Sequence, residues 1–315
     1  MDAAKMEKKK YKPKKRQYQL KPGDYVFNII NYLVFTIFTL ICIFPFYYLF
    51  INTISDNNLV RVGAIKFFPR GIHFGNYLAL KNVSDLGTSL MVSLARTVIG
   101  TALMVMASAL TGYLVTQKEM WKRSLWYRFI VITMYFNAGL IPWFLTMSML
   151  GLTNNFMAYI IPGIVQPYNI ILVKTYIESI PHELEESAKM DGAGYFTIFR
   201  KIIWPLCKPI LATIAIFGAV GHWNSFTDSL MLMPNAPHLQ TIQHKLYIYL
   251  QQSSNLAAIM KSGGGSVSAG MQADLLNAKT IKYTISTVTI IPIVCVYPFM
   301  QRYFEKGIML GAVKG

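Results

Sequence analysis

Long apolar runs broken by short charged stretches recur along this chain, and their lengths point to a bilayer. A helix needs about 20 mostly apolar residues to cross the hydrocarbon core. Six segments meet or approach that length: residues 26–51, 89–115, 126–150, 156–173, 209–223 and 281–299. The fifth is the shortest, and Pro205 and Pro209 cluster at its start. The pattern predicts an all-α membrane protein with six transmembrane helices over residues 26–300, a basic tail over 1–25 and a C-terminal tail over 301–315. The first run exceeds the 7–15 apolar residues of a secretory signal and is followed by no small-residue cleavage site, so it reads as a retained helix.

The interruptions are as informative as the runs. Between the fourth and fifth stands PHELEESAKMDGAGYFTIFRKIIWP, residues 181–205. One Asp or Lys at a helix centre costs about 2.5–3.5 kcal/mol on insertion scales. A stretch holding Glu183, Glu185, Glu186, Lys189, Asp191, Arg200 and Lys201 therefore lies outside the hydrocarbon. It still reads as ordered. Pro181 suits a first helical position, and three glutamates crowd the first turns, where the helix dipole favours negative charge. Asp191-Gly192 gives a stop, because Gly accepts positive φ. Phe196, Phe199 and Ile203 then fall on one stripe of a second, amphipathic helix that Pro205 closes. The expectation for residues 178–205 is a helical elbow. Two other interruptions are long: residues 52–88 contain the turn-punctuated FFPRGIHFGNY, and residues 224–280 end in a Ser/Gly-rich piece.

Composition agrees with the pattern. The chain is 54% hydrophobic and 14% charged, against about 25% charged in a soluble domain. A formal charge of +16 raises nucleic-acid binding, but the placement of the charge argues against it. Nine of the 30 Lys and Arg lie in residues 5–21, and most others flank apolar runs. That is a topology signal, with attraction to anionic membrane lipid as an extra. With the N-terminus in the cytoplasm, 21 basic residues fall inside and eight outside, so both termini are expected there. Cys42, Cys207 and Cys295 sit in or beside apolar runs without ligand-like spacing.

No catalytic set appears. His182-Glu183 begins an H-E-x-x-H look-alike, but Glu186 stands at the second histidine position. Gly265 and Gly270 have P-loop spacing, yet Met271-Gln272 follow where Lys-Ser/Thr must be. The runs hold almost no ionisable groups, which counts against a proton-driven carrier. Arg96 is the exception, read as snorkelling or helix pairing, with substrate contact as the sharper alternative.

Glu186-Ser187-Ala188, three residues, Gly192, nine residues and Ile202-Ile203-Trp204-Pro205 resemble the E-A-A-x3-G-x9-I-x-L-P signature of the permease subunits of ATP-binding-cassette importers. Ser187 replaces the first Ala of that signature, and Trp204 replaces its Leu. FFPRGIHFGNY resembles an outer loop of carbohydrate-uptake permeases, and KGIMLGAVKG at 306–315 resembles the tail of the smaller maltose-permease subunit and its complex-glycan relatives. The resemblance implies a multi-pass subunit of the bacterial cytoplasmic membrane, paired with a second homologous permease as a heterodimer. It also implies two separate ATPase subunits carrying ATP and Mg, an extracytoplasmic solute-binding protein, and no cofactor in this chain. By the same resemblance Glu185, Glu186, Ser187, Ala188, Asp191, Gly192, Ala193 and Pro205 couple to the ATPase, and Gly311, Lys314 and Gly315 of the tail reach between the ATPase subunits.

A saccharide passage needs neutral hydrogen-bonding groups and aromatic faces. The candidates are Tyr135, Asn137 and Trp143 in the third run, Gln166, Tyr168 and Asn169 in the fourth, and His222, Trp223 and Asn224 after the fifth. Pro162, Gly163 and Pro167 would loosen the fourth run and free backbone carbonyls. The reading is half of the translocation pathway of an oligosaccharide importer. An importer of another solute, an ion-gradient-driven half-transporter and a membrane-anchored scaffold remain as alternatives.

Overall fold

A computed structural model describes residues 22–80, 85–262, 280–298 and 301 of the chain. Among them no strand occurs, as an apolar environment demands of an open chain: only a helix satisfies all its backbone groups within one segment.

The described residues divide between Tyr48 and Leu49 into two compact units. The described part of the first is the bulk of α1 (Pro22–Thr53), a 32-residue helix carrying Phe, Ile, Leu and Tyr on every face. A helix that is apolar all round belongs in a core or a membrane.

In the second unit, the end of α1 meets a folded loop. Asp56 caps α2 (Asn57–Arg61), accepting from the backbone N–H of Asn58 and Leu59. The Asp56 N–H donates to Arg70 O at 2.9 Å and the His73 N–H to Ile54 O at 2.9 Å, which folds FFPRGIHFGNY back on the helix end. Asn76 of α3 (Gly75–Ala79) donates to Thr53 O at 2.8 Å.

The long helix α4 (Leu86–Leu114) organises the rest. It packs along α7 (Pro167–Ile177) and α11 (Lys208–Asn224), and a Cβ on Gly112 would lie 2.9 Å from Val173 Cγ1, so glycine permits the close crossing with α7. Near one end of α4, Val92 shares a core with Tyr159, Leu232 and Met233. Near the other, Ala109 and Tyr113 share one with Val173, Ile177, Phe199, Ile203 and Leu211.

Two of the six expected crossings are broken rather than straight. The third run folds as α5 (Arg123–Tyr135) and α6 (Leu140–Met149), bent by 119°. The cause is local: Phe136 is extended, Gly139 takes φ +89°, and the Gly139 N–H donates to Asn137 Oδ1 at 2.9 Å. The fourth run begins as 3-10 turns at Phe156–Tyr159 and Ile161–Gly163, then bends by 43° into α7. The elbow helices α8 (Glu183–Met190), α9 (Tyr195–Ile198) and α10 (Trp204–Leu206) precede α11, and the chain turns by 79° between Tyr195–Leu206 and α11. After α11 come α12 (Thr227–Leu232), α13 (Ile242–Ser262) and α14 (Thr280–Pro298). Three described helices are long and apolar enough to cross a membrane, or up to six segments if each bent pair is one crossing.

Candidate functional site: a braced elbow and a polar cavity

The acidic stretch forms an elbow. Its first arm, α8, ends in a Schellman motif. The Gly192 N–H donates to Lys189 O at 3.0 Å and the Ala193 N–H to Ala188 O at 2.9 Å, with Gly192 at φ +79°. A side chain at that φ costs roughly 1–2 kcal/mol.

The two faces of α8 do different work. Glu185, Ala188 and Lys189 are half-buried, whereas Glu183, Glu186, Ser187 and Met190 are exposed, Met190 to 88%. The inner face meets the loop between α4 and α5. Gln117 Nε2 donates to Glu185 Oε2 at 3.2 Å, and Lys189 Nζ pairs with Glu119 Oε1 at 3.1 Å. These groups, with Arg123 and His182, line a mixed-charge cleft of about 470 Å³. The Glu119 carboxyl is held below its usual range by its own backbone N–H and by the Lys189 ammonium. That carboxylate holds Lys189 above the usual lysine range.

The second arm reaches into the bundle. From Ile198 onward the chain is helical, with a π-helical turn at Phe199–Ile203. Pro205, two residues on, brings no N–H to the ladder. The stripe expected of Phe196, Phe199 and Ile203 is split: Phe199 and Ile203 are buried, while Phe196 is 68% exposed. Ala188 and Ala193 pack against the same core as Phe199, Ile203 and Leu211. Phe199 lies 5.4 Å, ring centre to ring centre, from Tyr113 of α4, and Trp204 packs edge-on against it at 5.9 Å. One contiguous apolar core thus joins α8 to α4, α7 and α11.

The nine saccharide candidates separate into two groups. Gln166, Tyr168, Asn169 and His222 surround one cavity of about 410 Å³ between α7 and α11. The other five do not line it. Tyr135 is exposed beside the 119° break, and Asn137 is spent on the turn there. Trp143 packs against the core of Tyr159 and Leu232. Trp223 is buried and donates to Thr289 O at 3.1 Å, an anchor for α14. Asn224 accepts from Gln243 at 3.3 Å.

Arg96 is 3% exposed and does not snorkel. Its guanidinium grips both carboxylate oxygens of Asp228, donates to Ser225 O at 3.1 Å and lies over the Tyr159 ring at 4.6 Å. Asp228, in α12, was not readable as its partner across 132 positions. Nor do the charges of α8 by themselves name Gln117 and Glu119, 68 and 70 positions away, as partners. Gly311, Lys314, Gly315 and the Gly265–Gly270 spacing lie outside the described residues. Among the described residues no group of His, Cys, Asp and Glu could hold a metal ion.

Residues 104–310 match the family described as binding-protein-dependent transport system inner membrane component. The polygalacturonan/rhamnogalacturonan transport system permease protein YtcP of Bacillus subtilis (strain 168) is 32% identical over 300 residues, covering 92% of this chain and 99% of its own. The arabinooligosaccharides transport system permease protein AraQ of Halalkalibacterium halodurans is 27% identical over 290 residues, covering 89% and 94%. A chain of a crystal structure of a bacterial ABC transporter involved in the import of the acidic polysaccharide alginate is 31% identical, with a TM-score of 0.77, 91% coverage of this chain and 99% of that one.

Proposed function

The chain belongs to the binding-protein-dependent transport system inner membrane components, and on that premise we propose that it forms half of the passage of an oligosaccharide importer powered through the elbow at residues 178–205. It is a permease subunit of an ATP-binding-cassette importer and not an enzyme. Sugar and oligosaccharide permeases recur among its relatives, which supports an oligosaccharide as the cargo. The complete machine in this reading has a second, homologous permease, two ATPase subunits that bind ATP and Mg, and an external solute-binding protein. The chain crosses the bacterial plasma membrane six times, through α1, α4, the bent pair α5–α6, the 3-10 turns with α7, α11 and α14. Both termini and the elbow face the cytoplasm, and the tail residues Gly311, Lys314 and Gly315 extend toward the ATPases.

One observation carries the coupling role. The elbow has an outward acidic face without a described partner element, while its inner face and second arm are fixed to the bundle core. A partner that grips Glu183, Glu186 and Ser187 moves a rigid unit, and ATP binding to that partner biases a two-state bundle. Gly192→Asp tests this. The substitution strains a left-handed turn and adds charge beside the docking face. Uptake is expected to fall at least tenfold with the protein still at its normal level in the membrane. Normal uptake by the variant would contradict the coupling role.

A further inference from the structure

We propose that the cavity between α7 and α11 is a saccharide subsite held by this subunit, that it reads ring hydroxyls rather than carboxylates, and that Gly221 keeps it open; this rests on the oligosaccharide reading above. The cavity's volume of about 410 Å³ falls among clefts that hold small organic ligands. Its polar groups are two amides, a phenol and an imidazole, and no Asp, Glu, Lys or Arg lines it. Arg96, the buried cation of α4, is committed to Asp228 and Ser225 O.

The amides have capacity to spare. Asn169 is 6% exposed, yet its amide donates only to Met104 Sδ, at 3.2 Å, and a thioether is a weak acceptor. Gln166 reaches Gly163 O at 3.5 Å, the far limit of a hydrogen bond. Among the described residues, neither side-chain carbonyl has a donor. Asn169 is buried and Gln166 half-buried, and neither side-chain carbonyl is among the sealed, unpartnered polar atoms, so both remain accessible to an outside polar group. A sugar hydroxyl both donates and accepts, so it serves either end of an amide. An ionised carboxylate only accepts, and it would enter a site without a cation at a high desolvation cost. The Tyr168 and Phe217 rings supply faces for the C–H surface of a sugar ring.

Gly221 and Gly218 lie one turn apart on α11 and differ in role. A Cβ on Gly218 would fall 2.6 Å from Met104 Cε, so that glycine serves packing. A Cβ on Gly221 would meet nothing within 4 Å, although Gly221 lines the cavity. A methyl group there meets no neighbour, so larger side chains have open space beside the cavity to grow into.

The test uses cells carrying the complete importer, given labelled maltotriose, arabinotriose, xylotriose or trigalacturonate. Uptake of at least one neutral trisaccharide is expected to fall stepwise through Gly221→Ala, Gly221→Val and Gly221→Phe, at least tenfold for the last, with the permease retained in the membrane. Asn169→Asp, equal in size, is a second arm: neutral uptake falls at least fivefold. Unchanged uptake in either Gly221→Val or Asn169→Asp would overturn the subsite and leave the importer reading standing. Preferential uptake of trigalacturonate by the unaltered importer would overturn the hydroxyl reading. Uptake of none of the four would overturn the oligosaccharide reading, and the subsite with it.

Discussion

Arg96 and Asp228 show how much a single buried pair controls. Arg96 stands on α4 and Asp228 opens α12, and their bidentate contact, with Tyr159 packed on the guanidinium, ties three elements together. Removing one partner of such a pair leaves an uncompensated buried charge and costs about 3–5 kcal/mol. Arg96→Met is therefore expected to lower the thermal midpoint of the detergent-purified protein markedly, and Arg96→Met with Asp228→Leu to recover a large part of it. Equal midpoints for the native protein and Arg96→Met would show the pair to be dispensable. Gly192 is the opposite kind of residue: it touches little, and its value lies in its φ of +79°.

At the scale of elements, the elbow works only if α8 is held at a fixed angle to the bundle. The brace of Gln117–Glu185 and Glu119–Lys189 does this from the loop between α4 and α5. The Glu119–Lys189 pair is exposed enough to add little to stability, so the effect of the brace should appear in coupling. Lys189→Glu is expected to reduce uptake several-fold while moving the thermal midpoint by less than about 4 °C, and adding Glu119→Lys to restore it. Loss of uptake that the double exchange does not recover would rule out the pair as a brace. The pH dependence has a definite sign. The contribution of Glu119, whose pKa is lowered, is lost only as pH falls through that lowered value, and that of Lys189, whose pKa is raised, only as pH rises through the raised one. Between those limits, neutral pH included, the brace is constant.

Elements were legible in the sequence where their cause is local. The runs at 26–51, 89–115, 209–223 and 281–299 became α1, α4, α11 and α14 within a few residues, because sustained apolar length is its own signal. The elbow was legible because Asp191-Gly192 and the surrounding charges announce its turn. The 119° break was not, since Asn137-Ala138-Gly139 is a three-residue cue inside a continuous apolar run. The π-helical turn ahead of Pro205 and the Arg96–Asp228 pair were hidden for different reasons. The first depends on where the missing N–H of a proline is absorbed, and the second on two positions that only the fold brings together. The cavity was half legible: Gln166, Tyr168 and Asn169 are neighbours in sequence, but their meeting with His222, and the opening left by Gly221, belong to the packing of α7 on α11.

For the whole molecule, the proposed path of force and the proposed path of cargo share helices. α7 and α11 carry the core that anchors the elbow, and the same two helices wall the cavity. In the proposed mechanism a shift of the second arm of the elbow reshapes the cavity, as alternating access requires. That economy depends on α8 being gripped from the cytoplasm by a separate ATPase subunit. The most direct measurement is site-directed cross-linking at Met190→Cys, in a background where Cys42, Cys207 and Cys295 are replaced by Ser, within membranes holding the complete importer. A short thiol-specific cross-linker is predicted to join this chain to the ATPase polypeptide, and a membrane-impermeant thiol reagent added outside intact cells is predicted to leave the position unlabelled. Labelling from outside, with no cross-link to an ATPase, would contradict the account.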